Sequence, residues 1–459
     1  MLWATWSDPR GGGVWRSDDA GASWTDRGGG LPVVPLHAVA VDPDRPDTVL
    51  VAADLGVWRS DDAGASWRPF GRGLPATPVA ALEIHRATRL LRAALLGRGV
   101  WEAPLGDPAP TSQPPARLHL RGARADGGRG GPFPAGRPDP FGSGEATWWW
   151  QSPDVKVEAP PDPARDPAGV GPGVFEDDHG VGAAGLPAAG GRVVPGGPAR
   201  VWVQVHNRGA ATAAGVRVRV LVAPAFLGWP GRLAVDPDRD PVPGSPWRAV
   251  GPPATLEVVE PGRARVVAFD WAVPDGMVAD LSLLALAAAG GDPPLQPKPV
   301  DRHLGLLGVT VLHPATGPRV LRLEAWGTTG DPPFTLAVEP GAQELVAGLL
   351  PGPALAGSAR AAGLEPARPP DAWRPELVAV VQQDPGLAER LDLTTAFPAP
   401  SVAGTWVGGV NLGAERPEAL LLFLREPVRP GGGSLLLLDA TGQVVGGHTL
   451  RVPPGPAPA

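Results

Sequence analysis

The residues with the richest chemistry lie in one short run, Glu176-Asp177-Asp178-His179. Three carboxylates beside an imidazole supply the donors for a hard cation and the groups for acid/base work. No second ligand cluster of suitable spacing stands nearby, and adjacent acids in a Gly/Pro loop also suit a merely solvated loop. Both readings of Glu176, Asp177, Asp178 and His179 stay open. Asp236-Pro237-Asp238-Arg239-Asp240 invites a calcium reading, but turn chemistry suffices for it. Trp148-Trp149-Trp150 could form a ligand platform for a sugar; the competing reading packs alternate rings into a core and a domain joint. His206 is expected capped or exposed at a strand end, and His448 sits in a hairpin with no evident partner. The remaining chemistry is negative. With no Cys there are neither disulfides nor thiolates, and there is no Tyr. No Ser/His/Asp set, Gly-rich phosphate loop after a strand, or His/Cys metal spacing appears in the last third. No catalytic residue is assigned and no cofactor is expected.

The elements around these residues follow from composition and repeats. The 459 residues carry 40 Lys+Arg against 47 Asp+Glu, a net charge of −7, with no basic cluster. Nucleic acid is therefore not an expected partner. The longest apolar run, around Leu281 to Ala289, is too short to span a bilayer, and no basic-then-apolar segment opens the chain. No membrane insertion is expected, and nothing in the sequence speaks to oligomeric state. Gly (64) and Pro (61) reach a level that often means disorder, yet only two Lys, one Ile and two Asn are present. That bias looks like a GC-rich genome, so part of the Gly and Pro is mutational rather than a folding signal.

Gly13 to Trp24 returns almost unchanged as Gly56 to Trp67, and a third Gly-Val-Trp stands at Gly99 to Trp101. A period of roughly 40–50 residues marks propeller blades or solenoid units. Each full copy contains Ser-x-Asp-x-Gly-x-Ser-Trp: Ser17, Asp19, Gly21, Ser23 and Trp24, then Ser60, Asp62, Gly64, Ser66 and Trp67. In a hairpin the short carboxylate accepts backbone N–H groups, Gly takes a positive φ, and Trp buries a broad face between sheets. This octet resembles the Asp box (BNR repeat) of sialidase-like, sortilin-like and xyloglucanase-like β-propellers. The resemblance implies a partial propeller of two to three blades over residues 1–105, with structural roles for both carboxylates. The third repeat lacks the box and resembles a closing blade. Leu2 to Trp6 aligns with Val49 to Ala53, so the expectation is a truncated repeat with further blades upstream. A sialidase would need a Tyr nucleophile, which this chain lacks.

Residues 106–150 read as a Pro/Gly-rich connector with a short strand at Leu118 to Leu120. Residues 151–314 carry about seven alternating strands, among them Val201, Val203 and Val205 on one face and Val216, Val218 and Val220 on another. Val201 to Val220, with His206-Asn207-Arg208-Gly209 between two valine strands, resembles CARDB-type immunoglobulin-like modules of bacterial surface proteins. Residues 315–459 read as a β-rich domain with one helix, Trp373 to Leu391, interrupted at Pro385, and with frayed residues from Pro453. The whole reads as an all-β multidomain chain: partial propeller, immunoglobulin-like β-sandwich, C-terminal β-rich domain. The function expected from these resemblances is a non-catalytic surface or secreted binding or scaffold protein, extracellular, with a glycan or a surface protein as partner. The alternative is the C-terminal portion of a sialidase-like or xyloglucanase-like glycoside hydrolase whose catalytic blades lie upstream.

Overall fold

In a computed structural model, the described residues are 1–7, 12–71, 74, 77–96, 99–106, 116–123, 126, 136–138, 146–165, 170, 193–229, 236–290, 292, 301–312, 320–327, 332–413, 417–425 and 431–452. The fold is all-β, with many small sheets. The repeats form three consecutive antiparallel sheets. The first holds Leu2–Trp6, Gly13–Ser17 and Thr25–Asp26. The second holds Leu36–Asp42, Arg45–Ala53, Gly56–Ser60 and Arg68–Phe70. The third holds Val79–His85, Leu90–Leu95 and Gly99–Pro104. Period-2 alternation gives the middle sheet two apolar faces. Val51, Ala53 and Trp58 meet Val14 of the first sheet. Leu50, Ala52, Val57 and Phe70 meet Val79, Leu91, Ala93 and Leu95 of the third. Arg89 locks the second joint by forking onto buried Asp42, with both bonds at 2.6 Å.

The middle of the chain is a two-sheet sandwich. Pro198–Asn207 is the spine of one sheet, flanked by Ala264–Ala272 on one side and by Val155–Glu158 and Leu118–His119 on the other. Ala213–Pro224 is the spine of the other, beside Leu281–Ala288 and then Leu304–Leu307. The valines of both spines interdigitate in a single core with Leu283, Ala285 and Ala287. The stretch read as a connector thus contributes an edge strand to this sandwich.

Two five-stranded sheets make the last unit. Val320–Ala325 and Glu418–Leu424 lie in one, Phe334–Val338 and Gly431–Leu438 in the other, and their facing leucines and valines form the largest core. Each sheet also takes a parallel edge strand from the stretch read as the sandwich, Phe226–Leu227 and Val309–Val311. The two units are therefore interlocked rather than joined at one point. Among the described residues there are four α-helices: Pro340–Leu345 and Pro353–Ala361 are additional, and the expected one is present as Arg374–Gln383 and Leu387–Arg390. The first two are too short for an apolar period to register, and each begins on a Pro, whose fixed φ and missing N–H suit a first turn. The expected break at Pro385 is present between the last two. Leu377 and Leu387 of those two helices cover the outer face of a C-terminal sheet at Leu421 and Phe423.

Candidate functional site

The two repeated octets build the same turn. Ser17 Oγ donates to Asp19 Oδ1 (2.8 Å), the Ser23 N–H to the same oxygen (2.9 Å), and Ser23 Oγ to Oδ2 (2.6 Å). In the second copy Ser60 Oγ and the Ser66 N–H donate to Asp62 Oδ1 at 2.7 and 2.8 Å, and Ser66 Oγ to Oδ2 at 2.5 Å. These donors hold both carboxyls below the ordinary carboxylate range, Asp62 at about 2, with the Ser66 hydroxyl as its largest contributor. A carboxylate so occupied is a turn clamp rather than a free base. Gly64 shows why the octet needs glycine: φ is +81°, and a Cβ there would stand 2.9 Å from Arg27 Cβ and 3.1 Å from the Trp3 ring. Trp67 donates to the Arg27 carbonyl at 2.7 Å, which docks the second turn on the first sheet. Trp24, its counterpart, is 42% exposed.

Trp148, Trp149 and Trp150 are all buried, so they are not a solvent-facing platform. They fill the joint between the sandwich and the C-terminal unit, against Leu284, Leu306 and Trp326. Trp148 stacks on Trp150 at 4.9 Å, and Trp149 meets Trp150 edge-on at 5.1 Å. Their polar edges are satisfied across the joint: Trp150 donates to Thr449 Oγ1 (3.0 Å) and Trp148 to Glu339 Oε1 (3.1 Å). His448 has the partner that its sequence context did not reveal. It is fully buried, with Nε2 2.9 Å from Thr310 Oγ1 on a strand far away in sequence. His206 is likewise buried rather than exposed. Asp236 to Asp240 is a turn, with the Asp238 N–H on Asp236 Oδ1 at 3.0 Å, while Asp238 and Asp240 face Arg217 and Arg219 at 2.6 Å. Glu176, Asp177, Asp178 and His179 lie outside the described residues, as do the residues from Pro453.

A dense buried polar cluster lies among residues that their sequence context does not single out. Asp154 is fully buried under the outer face of the first sandwich sheet. Arg121 reaches it with Nε at 2.9 Å, Nη2 at 2.6 Å and its backbone N–H at 2.7 Å. Gln204 Nε2 and His206 Nε2 each lie 3.2 Å from its Oδ1. Burial alone would raise the Asp154 pKa; the Arg121 and His206 charges outweigh that and hold it far below the usual range. Burial lowers His206 to about 4, against the pull of Asp154. A second knot sits close by along the same strand. Asp292 accepts the Leu118 N–H and Arg302, and His303 is held between Asp301 (2.7 Å) and Asp292 (3.3 Å). Burial opposes charge on His303, but the hydrogen bonds to the two carboxylates raise its pKa. The signal available in sequence was alternation: Lys156, Glu158, Trp202, Gln204 and His206 lie opposite the valine faces and are buried too. Both knots orient an imidazole, but only the second stabilises its proton: the pKa of His303 is raised while that of His206 is lowered. Among the described residues no three His, Asp or Glu side chains converge as a metal-binding set.

No family model matches this chain, and no curated protein does. Among solved structures it is similar to beta-glucosidase 3B from Thermotoga neapolitana in complex with glucose, at 12% identity over 24% of this chain and 13% of that one, TM-score 0.14. Beta-glucosidase D2-BGL from Chaetomella raphigera gives 16% identity over 33% and 17%, TM-score 0.15. A Salmonella alpha-2-macroglobulin mutant gives 12% identity over 98% of this chain and 23% of that one, TM-score 0.17. The chain spans less than a quarter of the length of each. At these scores the likenesses carry no argument about function.

Proposed function

We propose that this chain is a non-catalytic binding and scaffold protein built of β modules. In this reading its first three sheets are Asp-box propeller blades, and its middle unit is an immunoglobulin-like module of the CARDB type. It works at a bacterial surface or outside the cell. One observation carries the proposal: the carboxylates and imidazoles picked out above already serve the fold. Asp19 and Asp62 clamp their own turns, Asp154 and Asp292 are pinned by arginines, and His448 is sealed in the interior. Burial of the tryptophan triplet moves the favoured partner from a glycan to a protein surface.

The test is turnover of chromogenic aryl glycosides, sialosides and xyloglucan oligosaccharides by the full chain, beside a screen on immobilised glycans. Rates equal to the buffer blank are expected, and glycan binding, if seen, should survive Trp148→Phe. Hydrolysis that disappears on substitution of a carboxylate in this chain would overturn the reading. The hydrolase alternative gains no support from the described carboxylates.

A further inference from the structure

Both polar knots close on one stretch of chain. Arg117 to Gly122 brings the chain into the sandwich after the third sheet of the repeats, and Leu118–His119 within it pairs as strand. Its backbone is otherwise held mostly by side chains. The N–H of Arg117 goes to Asn207 Oδ1 (3.1 Å), that of Leu118 to Asp292 Oδ2, that of Arg121 to Asp154 Oδ2 (2.7 Å) and that of Gly122 to Asp126 Oδ2 (3.0 Å). Arg302 adds two bonds, accepting the Leu120 N–H on its carbonyl and reaching the Leu118 carbonyl with Nη1. Leu118 and Leu120 plug this strap into the sandwich core. A strand bound by a neighbour's backbone has no titrating partner. A strap bound by carboxylates does, because the charges around those carboxylates set how firmly it is held.

Two imidazoles act on this strap, with opposite sign. His206 is paired with His119 of the strap, their ring centres 6.4 Å apart. Uncharged, its Nε2 accepts a hydrogen from Gln204 Nε2 at 3.0 Å. A proton on that nitrogen would set donor against donor and add a third cation beside Arg121 and Arg208, with Asp154 already engaged by Arg121. Asp126 faces His119 at 3.4 Å, and Asp54 of the repeats acts on Arg208. Ala264 and Val266, on the other neighbouring strand, bring no charge. His303 is the reverse case. Its Nε2 lies 3.3 Å from the second oxygen of Asp292, the carboxylate that holds Leu118, and its Nδ1 lies 2.7 Å from Asp301. Arg302 and Arg117 are the cations around Asp292. Burial opposes charge on His303, and the two carboxylates outweigh burial.

We propose that Arg117 to Gly122 is a pH-gated strap, closed most firmly near neutrality and released toward both acid and alkali. Closed, His206 refuses a proton that it can accept once the strap lifts, so closure weakens as the pH falls below 6.5. Closed, His303 keeps a proton that it can shed once Asp292 is freed, so closure weakens as the pH rises from 6.5 through its raised value. Release bares the edge of the spine Pro198–Asn207 at His206 and Asn207 and loosens the chain that leads back to the repeats.

Hydrogen exchange of the full chain at pH 5, 6.5 and 8, corrected for the intrinsic pH dependence of amide exchange, tests this. The amides of Arg117, Leu118, Leu120, Arg121 and Gly122 should be less protected than those of the spine Ala213–Pro224, and best protected near pH 6.5. The lowering of His206 from 6.5 to about 4 makes the opening equilibrium about fifteenfold larger at pH 5 than at pH 6.5. His206→Gln should flatten the acid limb alone and His303→Gln the alkaline limb alone, while His448→Leu should leave both limbs unchanged. Strap amides as protected as the spine overturn the proposal, as does a profile without a maximum or one that neither His→Gln change alters. If a variant does not fold, the unmodified protein decides through the first two of these outcomes.

Discussion

His448 gives the protein a built-in loss of stability on acidification. Its ring is fully buried in the strand Val444–Val452, against Thr310. Burial lowers its pKa from the ordinary 6.5 to about 3, with no opposing carboxylate. The native state therefore refuses a proton that the unfolded chain accepts below pH 6.5. Stability is full above that pH and falls as the pH drops toward 3, with a slope of up to about 1.4 kcal/mol per pH unit from this one group. Between pH 6.5 and 5 the loss from His448 alone is about 2 kcal/mol, a large share of the 5–15 kcal/mol typical of a domain. His206 acts in the same direction, while His303, whose pKa is raised, acts in the opposite one, adding stability that is lost as the pH rises. Comparison with His448→Leu isolates the first group. The variant begins less stable at pH 7.5, because the Thr310 hydroxyl loses its partner, at a cost of about 1–3 kcal/mol. From there its stability should decline less steeply with acid. The assay is urea unfolding at half-unit steps from pH 7.5 to 4.5, read as the slope of free energy against pH. Parallel slopes for the two proteins would refute the reasoning, since the sealed imidazole would then not be the group that refuses the proton.

Three further outcomes follow from close contacts. In Gly447→Ala the new methyl would stand 2.4 Å from the Trp150 ring and 2.5 Å from the Leu435 carbonyl oxygen. Overpacking of this kind costs about 1–3 kcal/mol, and here it should also weaken the near-ultraviolet circular dichroism of the stacked indoles. Asp154→Asn strips the counter-charge from buried Arg121, for an expected loss of about 3–5 kcal/mol in chemical denaturation. Asp62→Ala should lower the thermal midpoint more than Asp19→Ala, because only the second turn docks on a neighbouring sheet through Trp67 and Gly64; equal shifts would mean that each turn acts alone.

Local elements are legible in this sequence, and their distant partners are not. The octets at Ser17 and Ser60 form the expected turns because every donor and acceptor lies within seven residues. The valine strands of the sandwich follow their alternation for the same reason. What escaped was set by distance along the chain. Thr310 is 138 residues from His448, and Trp150 is 299 from Thr449. The strand Phe226–Leu227 pairs with a strand about a hundred residues on, although its own sequence resembles any short apolar run. The role of Asp154 is not legible in sequence because an acid on the outward side of a strand ordinarily faces water. Here that side is covered, and covering turns a solvated face into a polar core.

That polar core answers a problem posed by the composition. Val155 pairs with Val203 and Val157 with Val201. A slip of two residues would set Val155 opposite Val205 and Val157 opposite Val203, with every valine still inside. Side-chain period alone therefore cannot fix the register of these strands. Asp154 can, because its partners do not repeat. Its carbonyl accepts the Gln204 N–H at 2.9 Å, while its carboxylate is shared by Arg121, Gln204 and His206. Two residues out of step, that carboxylate would be buried without its arginine, a penalty far larger than any difference between one valine pair and another. Arg89 on Asp42 and Trp150 on Thr449 are equally unrepeated contacts at the other two joints. Cores made of Val, Leu and Ala supply the stability of this chain, and a few aperiodic polar contacts decide which of several equally apolar alignments it adopts.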